Sequence, residues 1–141
     1  MSAPIIAGDG VVAKEFIDLA GIGAVNVYAT SFGVPIRDLP RGGEFLARYV
    51  ARYPGEEPSS IDAYAYDAAT AIIRAVYAVI EDGGPGVVHA RNARSVVTQA
   101  VATSDFEGLT GRIAFAPNGD SLNDAVTMYA VVGAEWLPLE R

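Results

Sequence analysis

The chain has 141 residues, the size of one domain that can bury a hydrophobic core. Its 51% hydrophobic and 19% charged residues exclude a disordered chain, and its net charge of -7 argues against nucleic acid and anionic membranes as partners. Because cysteine is absent, disulfides, thiolate nucleophiles and cysteine-based metal sites are excluded.

The sequence as given also lacks the usual signals for export and membrane insertion. Its start, MSAPIIAGDG, has no basic segment followed by an apolar one, so we expect no secretory signal peptide in this chain. No apolar run approaches the roughly 18 residues of a spanning helix, so we expect no membrane insertion.

The N-terminal segments alternate between strand and helix patterns. Pro4 to Ala7 predicts a short buried strand, and Ala13 to Ala20 predicts a short helix that ends at Gly21. The segment AVNVYATS alternates apolar and polar residues and predicts a second strand, parallel to the first because a helix separates them. Phe32 to Gly43, rich in proline and glycine, predicts a connection between structural units and is a candidate hinge.

Helical periodicity dominates the middle of the chain. It predicts three helices, over Glu44 to Tyr53, Ile61 to Glu81 and Asn92 to Ala102. In the long second helix, Ser59 or Ser60 is the expected cap and Gly83 the expected stop. The inner face of that helix is predicted to comprise Ala65, Ala68, Ala69, Ile72, Ile73, Val76, Val79 and Ile80.

The last third contains strand patterns and turns. GRIAF and AVTMYAVV are predicted strands, and the Pro-Asn-Gly-Asp sequence at residues 117–120 predicts a tight turn between them. A second turn at Gly133 to Glu135 leads into WLPL. We therefore expect the chain to end in a small antiparallel arrangement.

Catalytic and metal-binding patterns are absent from the sequence. It has no Gly-x-Ser-x-Gly elbow, no phosphate-binding Gly-Lys-Ser/Thr loop and no His-Glu-x-x-His helix. The only histidine, His89, is interpreted as a solvated loop residue. Leu122 stands where a calcium loop needs an oxygen ligand, and Gly21-Ile22-Gly23 lacks the third glycine of a dinucleotide fingerprint. We expect no enzyme activity, metal or cofactor.

Acidic residues are the remaining candidates for a functional site. Glu56 and Glu57 are interpreted as solvated charges at a helix start. Asp67, on a mostly apolar helix, is expected to accept a hydrogen bond from neighbouring backbone or from a tyrosine.

Asp9 lies in a Gly-Asp-Gly loop at the carboxyl end of the first predicted strand. Ligands of α/β sheets bind at this edge. Gly8 and Gly10 leave room for a small ligand to approach the backbone while the carboxylate meets a cationic group. Capping of the following helix explains Asp9 equally well, and the spacing leaves both interpretations open.

Five segments, in this order, resemble one protein family. PIIAGDG, VYATSF, FLARYVARYPGEEPSSIDAYAYDAATAI, TSDFEGLTGRIAFAPNGD and AVTMYAVVGAEWLPL together resemble the C-terminal part of type I periplasmic (solute) binding proteins. The nearest group is the leucine/isoleucine/valine-binding family of ABC transporters, and the resemblance covers essentially the whole chain. It implies an α/β fold with three-layer α/β/α elements and an incomplete two-lobe architecture.

The resemblance also implies a division of the chain into segments. Residues 1–31 would belong to the second lobe, 32–43 to a crossover, 44–107 to helices of first-lobe type and 108–141 to the C-terminal strands.

The function implied by the resemblance is the binding of a branched-chain or related amino acid and its delivery to an ABC permease. The protein would act in the periplasm or extracellularly, with a lipoprotein anchor as one option. In this family the acidic residue of the Gly-Asp/Glu-Gly motif meets the ligand's α-ammonium group, which implicates Asp9 with Gly8 and Gly10. Ile61 stands where the family often has a cleft-facing aromatic, so this chain departs from the pattern there.

The family's first lobe has no match in these residues. The alanine-rich face of the Ile61 to Glu81 helix would lack the sheet that covers it. We therefore expect the chain to occur with a complementary chain, as a swapped or intertwined homodimer, or as a fragment of a longer protein. Two other functions fit the same resemblance: a ligand-sensing module of a receptor or regulator, and a dimerising remnant that binds no ligand.

Overall fold

The chain forms two compact units. The computed structural model describes residues 3–56 and 58–139. The sheet unit comprises Met1–Pro35 and Asp124–Arg141, and the helical unit comprises Ile36–Asn123. The strands and α-helices are, in chain order, β1 (Ile5–Ala7), α1 (Lys14–Ala20), β2 (Val27–Phe32), α2 (Gly42–Arg52), α3 (Ser60–Gly83), α4 (Ala93–Ala102), β3 (Asp105–Glu107), β4 (Arg112–Ala114), β5 (Val126–Val132) and β6 (Glu135–Pro138).

The sheet unit is built on a four-stranded mixed sheet. Its strand order is β1-β2-β5-β6, with β1 and β2 parallel and the other neighbours antiparallel. In the central strand β2 the alternate residues Val27, Ala29 and Ser31 are buried, which is the period of two expected for a strand with one covered face. The predicted parallel first pair and antiparallel C-terminal pair are confirmed.

Strand β1 departs from the prediction of a buried strand. Ile5 is 57% exposed and Ile6 is 73% exposed. The prediction is wrong because β1 is an edge strand that pairs only with β2, so its apolar run does not reflect burial on both faces.

The helical unit is organised by α3. Residues at every fourth position of this helix face into the unit and are buried, namely Ala63, Asp67, Ala71, Ala75 and Val79. Three of these are alanines, so the neighbouring helix α4 packs closely along α3. Strands β3 and β4 form a hairpin in the same unit, with Phe106 opposite Ile113.

The face of α3 predicted as its inner face is largely exposed. Ile72 is 53% exposed and Ile73 is 55% exposed, and the alanines at positions 65, 68 and 69 are exposed as well. The prediction is wrong for these five residues and right for Val79, which is buried. Helix α3 is apolar on two sides, and periodicity alone does not tell which side is covered.

The ends of α3 follow local rules. The backbone N–H of Ser59 donates to the Asp62 carboxylate at 2.8 Å, so the predicted capping by Ser59 is confirmed. The helix runs through Gly83, and the positive φ that ends it, 75°, is at Gly84. The predicted stop is therefore displaced by one residue.

Helix α3 also meets a simple criterion for a membrane span. Among the described residues, it is the one helix with a sufficient window, 18 residues with a mean hydropathy of 1.2. The expectation that no segment is long and apolar enough is therefore wrong. Core helices of soluble proteins meet the same criterion, and α3 carries a buried carboxylate, Asp67, that hydrogen-bonds within the helical unit.

Asp67 joins α3 to the loop between β3 and β4. One carboxylate oxygen accepts the N–H of Leu109 at 2.8 Å, and the other accepts the N–H and the hydroxyl of Thr110, both at 2.7 Å. A Cβ on Gly108 would lie 2.7 Å from this carboxylate, so the close approach requires glycine. The expected backbone hydrogen bond to Asp67 is confirmed, although its donors lie far away in the sequence.

We expect Asp67→Ala to lower the free energy of unfolding by about 3 kcal/mol or more, because it leaves two buried N–H groups and a hydroxyl without acceptors. Asp67→Asn keeps one amide oxygen as an acceptor, so its free energy of unfolding should lie between those of the wild-type chain and Asp67→Ala. Asp82→Ala removes an exposed charge from the same helix and should change stability by about 0.5 kcal/mol or less. Urea unfolding followed by far-UV circular dichroism measures all three, and equal stability of the two alanine variants would contradict this role of Asp67.

Candidate ligand-binding site

The Gly-Asp-Gly loop follows β1 directly. Asp9–Val11 form one turn of 3₁₀-helix, in which the N–H of Val12 donates to the Asp9 carbonyl at 2.9 Å. Helix α1 begins later, at Lys14, and its N-cap, Ala13, has no side-chain capping bond. The interpretation of Asp9 as a cap of this helix is therefore wrong.

The Asp9 carboxylate is exposed and, among the described residues, has no hydrogen-bond or ion-pair partner. Within residues 3–56 and 58–139, no side chain or backbone group forms a hydrogen bond or ion pair with it. A Cβ at Gly8 or Gly10 would meet nothing within 4 Å, and neither glycine has a positive φ. The backbone therefore does not require glycine at these positions, and their small size leaves open space on both sides of the carboxylate.

The Gly-Asp-Gly loop lies at the carboxyl end of β1, the edge at which open α/β sheets bind their ligands. Strands β1 and β2 run parallel, so their carboxyl ends meet at one edge of the sheet. The chain leaves β2 at Gly33, whose φ is 80° and whose N–H donates to the Ala125 carbonyl at 2.6 Å. The Gly33 carbonyl accepts the Thr127 hydroxyl at 2.6 Å, which ties this end of β2 to β5.

Trp136 ties the edge strand β6 to the segment after the loop. Its indole N–H donates to the carbonyl of Ala13 at 3.1 Å, and its ring centroid lies 5.7 Å from that of Phe16. These contacts hold the start of α1 against the sheet, and thereby fix the C-terminal side of the Gly-Asp-Gly loop.

The other candidate residues of the sequence either lie in a different unit from Asp9 or form part of a turn or helix end. Ile61 is 56% exposed in the first turn of α3 and belongs to the helical unit, whereas Asp9 belongs to the sheet unit. His89 ends a 3₁₀-helix. The predicted turn at residues 117–120 is confirmed, since the Asp120 N–H donates to the Asn118 side chain at 3.1 Å. Glu57 lies outside the described residues.

The helical unit contains a groove that the sequence patterns do not predict. Helical periodicity predicted only the helix over Glu44 to Tyr53, yet Tyr53 is 49% exposed and lines this groove together with Phe45 and Tyr49. The signal that could have found it is the alternation of these aromatics with arginines on one helix. Burial, and then the negative charges of Asp62 and Glu56, raises the pKa of the Tyr49 hydroxyl.

Sequence comparison identifies the family. The chain matches the periplasmic binding protein family over residues 5–135. The chain therefore belongs to the periplasmic binding protein family. No curated protein shows significant similarity to it.

Solved structures confirm the expected fold class, part of the type I periplasmic binding fold. The leucine-binding protein LivK from Thermotoga maritima matches with a TM-score of 0.73 at 25% identity. The branched-chain amino acid transporter substrate-binding protein LivJ from Streptococcus pneumoniae, solved in complex with isoleucine, matches with a TM-score of 0.66 at 27% identity. An extracellular ligand-binding receptor from Rhodopseudomonas palustris HaA2 shares the fold, with a TM-score of 0.71 at 18% identity.

The matches cover nearly all of this chain but a smaller part of its relatives. They include 99%, 98% and 99% of this chain and 37%, 38% and 41% of those three chains, respectively. The chain thus spans about two fifths of the length of these structures.

We expect Trp136→Phe, which keeps a ring but loses the N–H donor, to destabilise the sheet unit by about 1 kcal/mol. Amide exchange over residues 9–16 should become faster, because the start of α1 loses its hydrogen bond to β6. Trp136→Ala, which also removes the ring contact with Phe16, should have a larger effect. Hydrogen exchange by mass spectrometry measures both, and wild-type exchange in Trp136→Phe would show that the hydrogen bond does not hold the loop.

Proposed function

We propose that this chain is the ligand-binding part of a solute-binding component of an ABC transporter for branched-chain or related amino acids. Membership of the periplasmic binding protein family supports the solute-binding class. The ligands named for LivK and LivJ, leucine and isoleucine, support the ligand class. The observation that carries the proposal is the exposed Asp9 carboxylate between two glycines at the carboxyl end of β1, which has no hydrogen-bond or ion-pair partner among the described residues.

The proposed role of Asp9 is to accept hydrogen bonds from the ligand's α-ammonium group. An exposed pair of this kind is worth about 0–1 kcal/mol, whereas removing one partner of a buried, hydrogen-bonded charge pair costs about 2–5 kcal/mol. Recognition by Asp9 is therefore strong only when binding removes water from the carboxylate. Ile61, exposed at the start of α3, is a candidate for contact with an aliphatic ligand side chain.

The other parts of this proposal follow from the family. The protein would act in the periplasm or extracellularly and deliver its ligand to an ABC permease, as a binder and not as an enzyme. The division into residues 1–31, 32–43, 44–107 and 108–141 remains a prediction.

We expect isothermal titration calorimetry with L-leucine and L-isoleucine to detect binding that Asp9→Asn weakens about 30-fold or more, because the variant keeps the size of the side chain but removes its charge. Glu15→Gln is the matched control, since it removes one exposed negative charge from α1 in the same unit. Equal affinity of the two variants would contradict the role of Asp9. Absence of binding by the wild-type chain would favour a remnant that binds no ligand.

We further propose that a polypeptide surface, from a complementary chain or a second copy, covers the exposed apolar face of α3. Ile72, Ile73 and the alanines at positions 65, 68 and 69 form a face without charged residues along this helix. Exposed apolar area of this extent is typical of an interaction surface.

We expect the purified chain to be dimeric or larger in size-exclusion chromatography with light scattering. Ile72→Lys should shift it towards the monomer, because a charge would have to be buried in the interface. Ala47→Lys, at an exposed position of α2, should leave the mass unchanged. A monomeric wild-type chain would contradict self-association and leave only a complementary chain as the cover.

A further inference from the structure

Helices α2 and α3, together with β3 and the loop after it, enclose a groove within the helical unit. Its volume is about 770 Å³, within the range of small-molecule sites. The lining combines aromatic rings with arginines and lies in the helical unit, whereas Asp9 lies in the sheet unit.

The aromatic wall of the groove is formed mainly by α2. Phe45 and Tyr49 lie on one face of α2, and Tyr53 directly follows the helix as its C-cap, with its backbone N–H donating to the Tyr49 carbonyl. Their neighbouring ring centroids are 5.8 Å and 5.0 Å apart, and Tyr66 of α3 meets Phe45 edge to face at 5.8 Å. Tyr53 and Tyr66 are each 49% exposed, so ring surface remains free for a ligand to stack on.

Two guanidinium groups lie over aromatic rings of the groove and have no carboxylate partner among residues 3–56 and 58–139. Arg52 lies 5.5 Å from the ring centroid of Tyr53, and Arg74 lies 4.3 Å from that of Phe106 on β3. Within the described residues, neither arginine forms an ion pair with an acidic side chain, whereas Arg41 and Arg48 both pair with Glu44. The lining contains four arginines and four carboxylates, but within the described residues Arg52 and Arg74 are the two lining arginines without an ion pair.

Three of the four acidic side chains that line the groove already have hydrogen-bond or ion-pair partners, including the Glu44 paired with Arg41 and Arg48. Asp67 accepts three hydrogen bonds from the β3–β4 loop, and Asp62 accepts two from Ser59. Glu107 stands opposite Arg112 in the β3–β4 hairpin, but the Arg112 guanidinium binds Asp105, at 2.6 Å, and not Glu107. Asp62 and Asp67 therefore do not compete with an incoming anion for Arg52 and Arg74, and Glu107 forms no ion pair with either arginine within the described residues.

We propose that this groove binds a flat aromatic carboxylate. The ring stacks on the exposed faces of the aromatic wall, and the carboxylate pairs with Arg52 or Arg74, whose planar guanidinium suits a carboxylate in a two-point contact. An aliphatic acid lacks the stacking surface, and an uncharged aromatic lacks the partner for the guanidinium groups.

The test uses three probes of similar size with the full chain: 2-naphthoate, its uncharged amide 2-naphthamide, and the non-aromatic acid decahydronaphthalene-2-carboxylate. Calorimetric titration should give the tightest binding for 2-naphthoate, about tenfold or more above either of the others, because only this probe offers both ring and charge. This comparison uses the wild-type chain and requires no variant to fold. Equal affinity of the acid and the amide would overturn the proposal.

Variants locate the site. Arg52→Gln and Arg74→Gln together should weaken 2-naphthoate binding about tenfold or more while leaving 2-naphthamide unchanged. Arg94→Gln, which removes an exposed arginine of α4 outside the groove, should change neither. Tyr49→Leu should reduce the preference for 2-naphthoate over the non-aromatic acid. An Arg52/Arg74 variant that binds 2-naphthoate as tightly as Arg94→Gln would place the anion elsewhere and overturn the proposal.

Discussion

The helical unit depends on one buried carboxylate. Asp67 is 2% exposed, and its cost of burial is offset by three short hydrogen bonds from Leu109 and Thr110. The same contact holds the β3–β4 loop against the middle of α3, where Gly108 is the residue that permits the approach. Since Leu109 and Gly108 line one side of the groove, the groove's shape depends on this contact as much as on its aromatic wall.

Helix α3 carries two apolar faces with different neighbours. The face with Asp67 and the buried alanines packs inside the helical unit, whereas Ile72 and Ile73 on another face are more than half exposed. Small residues allow close packing on either face, so the helix is suited to contacts on two sides at once.

Features set by local rules were predictable from the sequence, and features set by distant contacts were not. The helices follow from the periodicity of apolar residues. The Ser59 cap follows from Ser59 and Asp62, which lie three residues apart. The donors to Asp67 lie 42 and 43 residues away, and β3, with three residues, pairs with β4 through a register that no local pattern specifies. The exposure of Ile6 has the same cause, because an apolar residue on an edge strand has the same sequence pattern as one in the core.

The two candidate sites, the Asp9 loop and the groove, would bind ligand groups of opposite charge. In the part of the chain that the structure describes, Asp9 in the sheet unit has a carboxylate without an ion pair, and Arg52 and Arg74 in the helical unit have guanidinium groups without one. Leaving such groups unpaired costs the fold little, since an exposed ion pair contributes only about 0–1 kcal/mol to stability. The same groups interact more strongly once a ligand displaces the surrounding water, so their interaction energy is available to binding rather than already used in folding. Unpaired charge beside open space or free ring surface therefore distinguishes these two sites from paired surface charges such as Lys14 and Asp18.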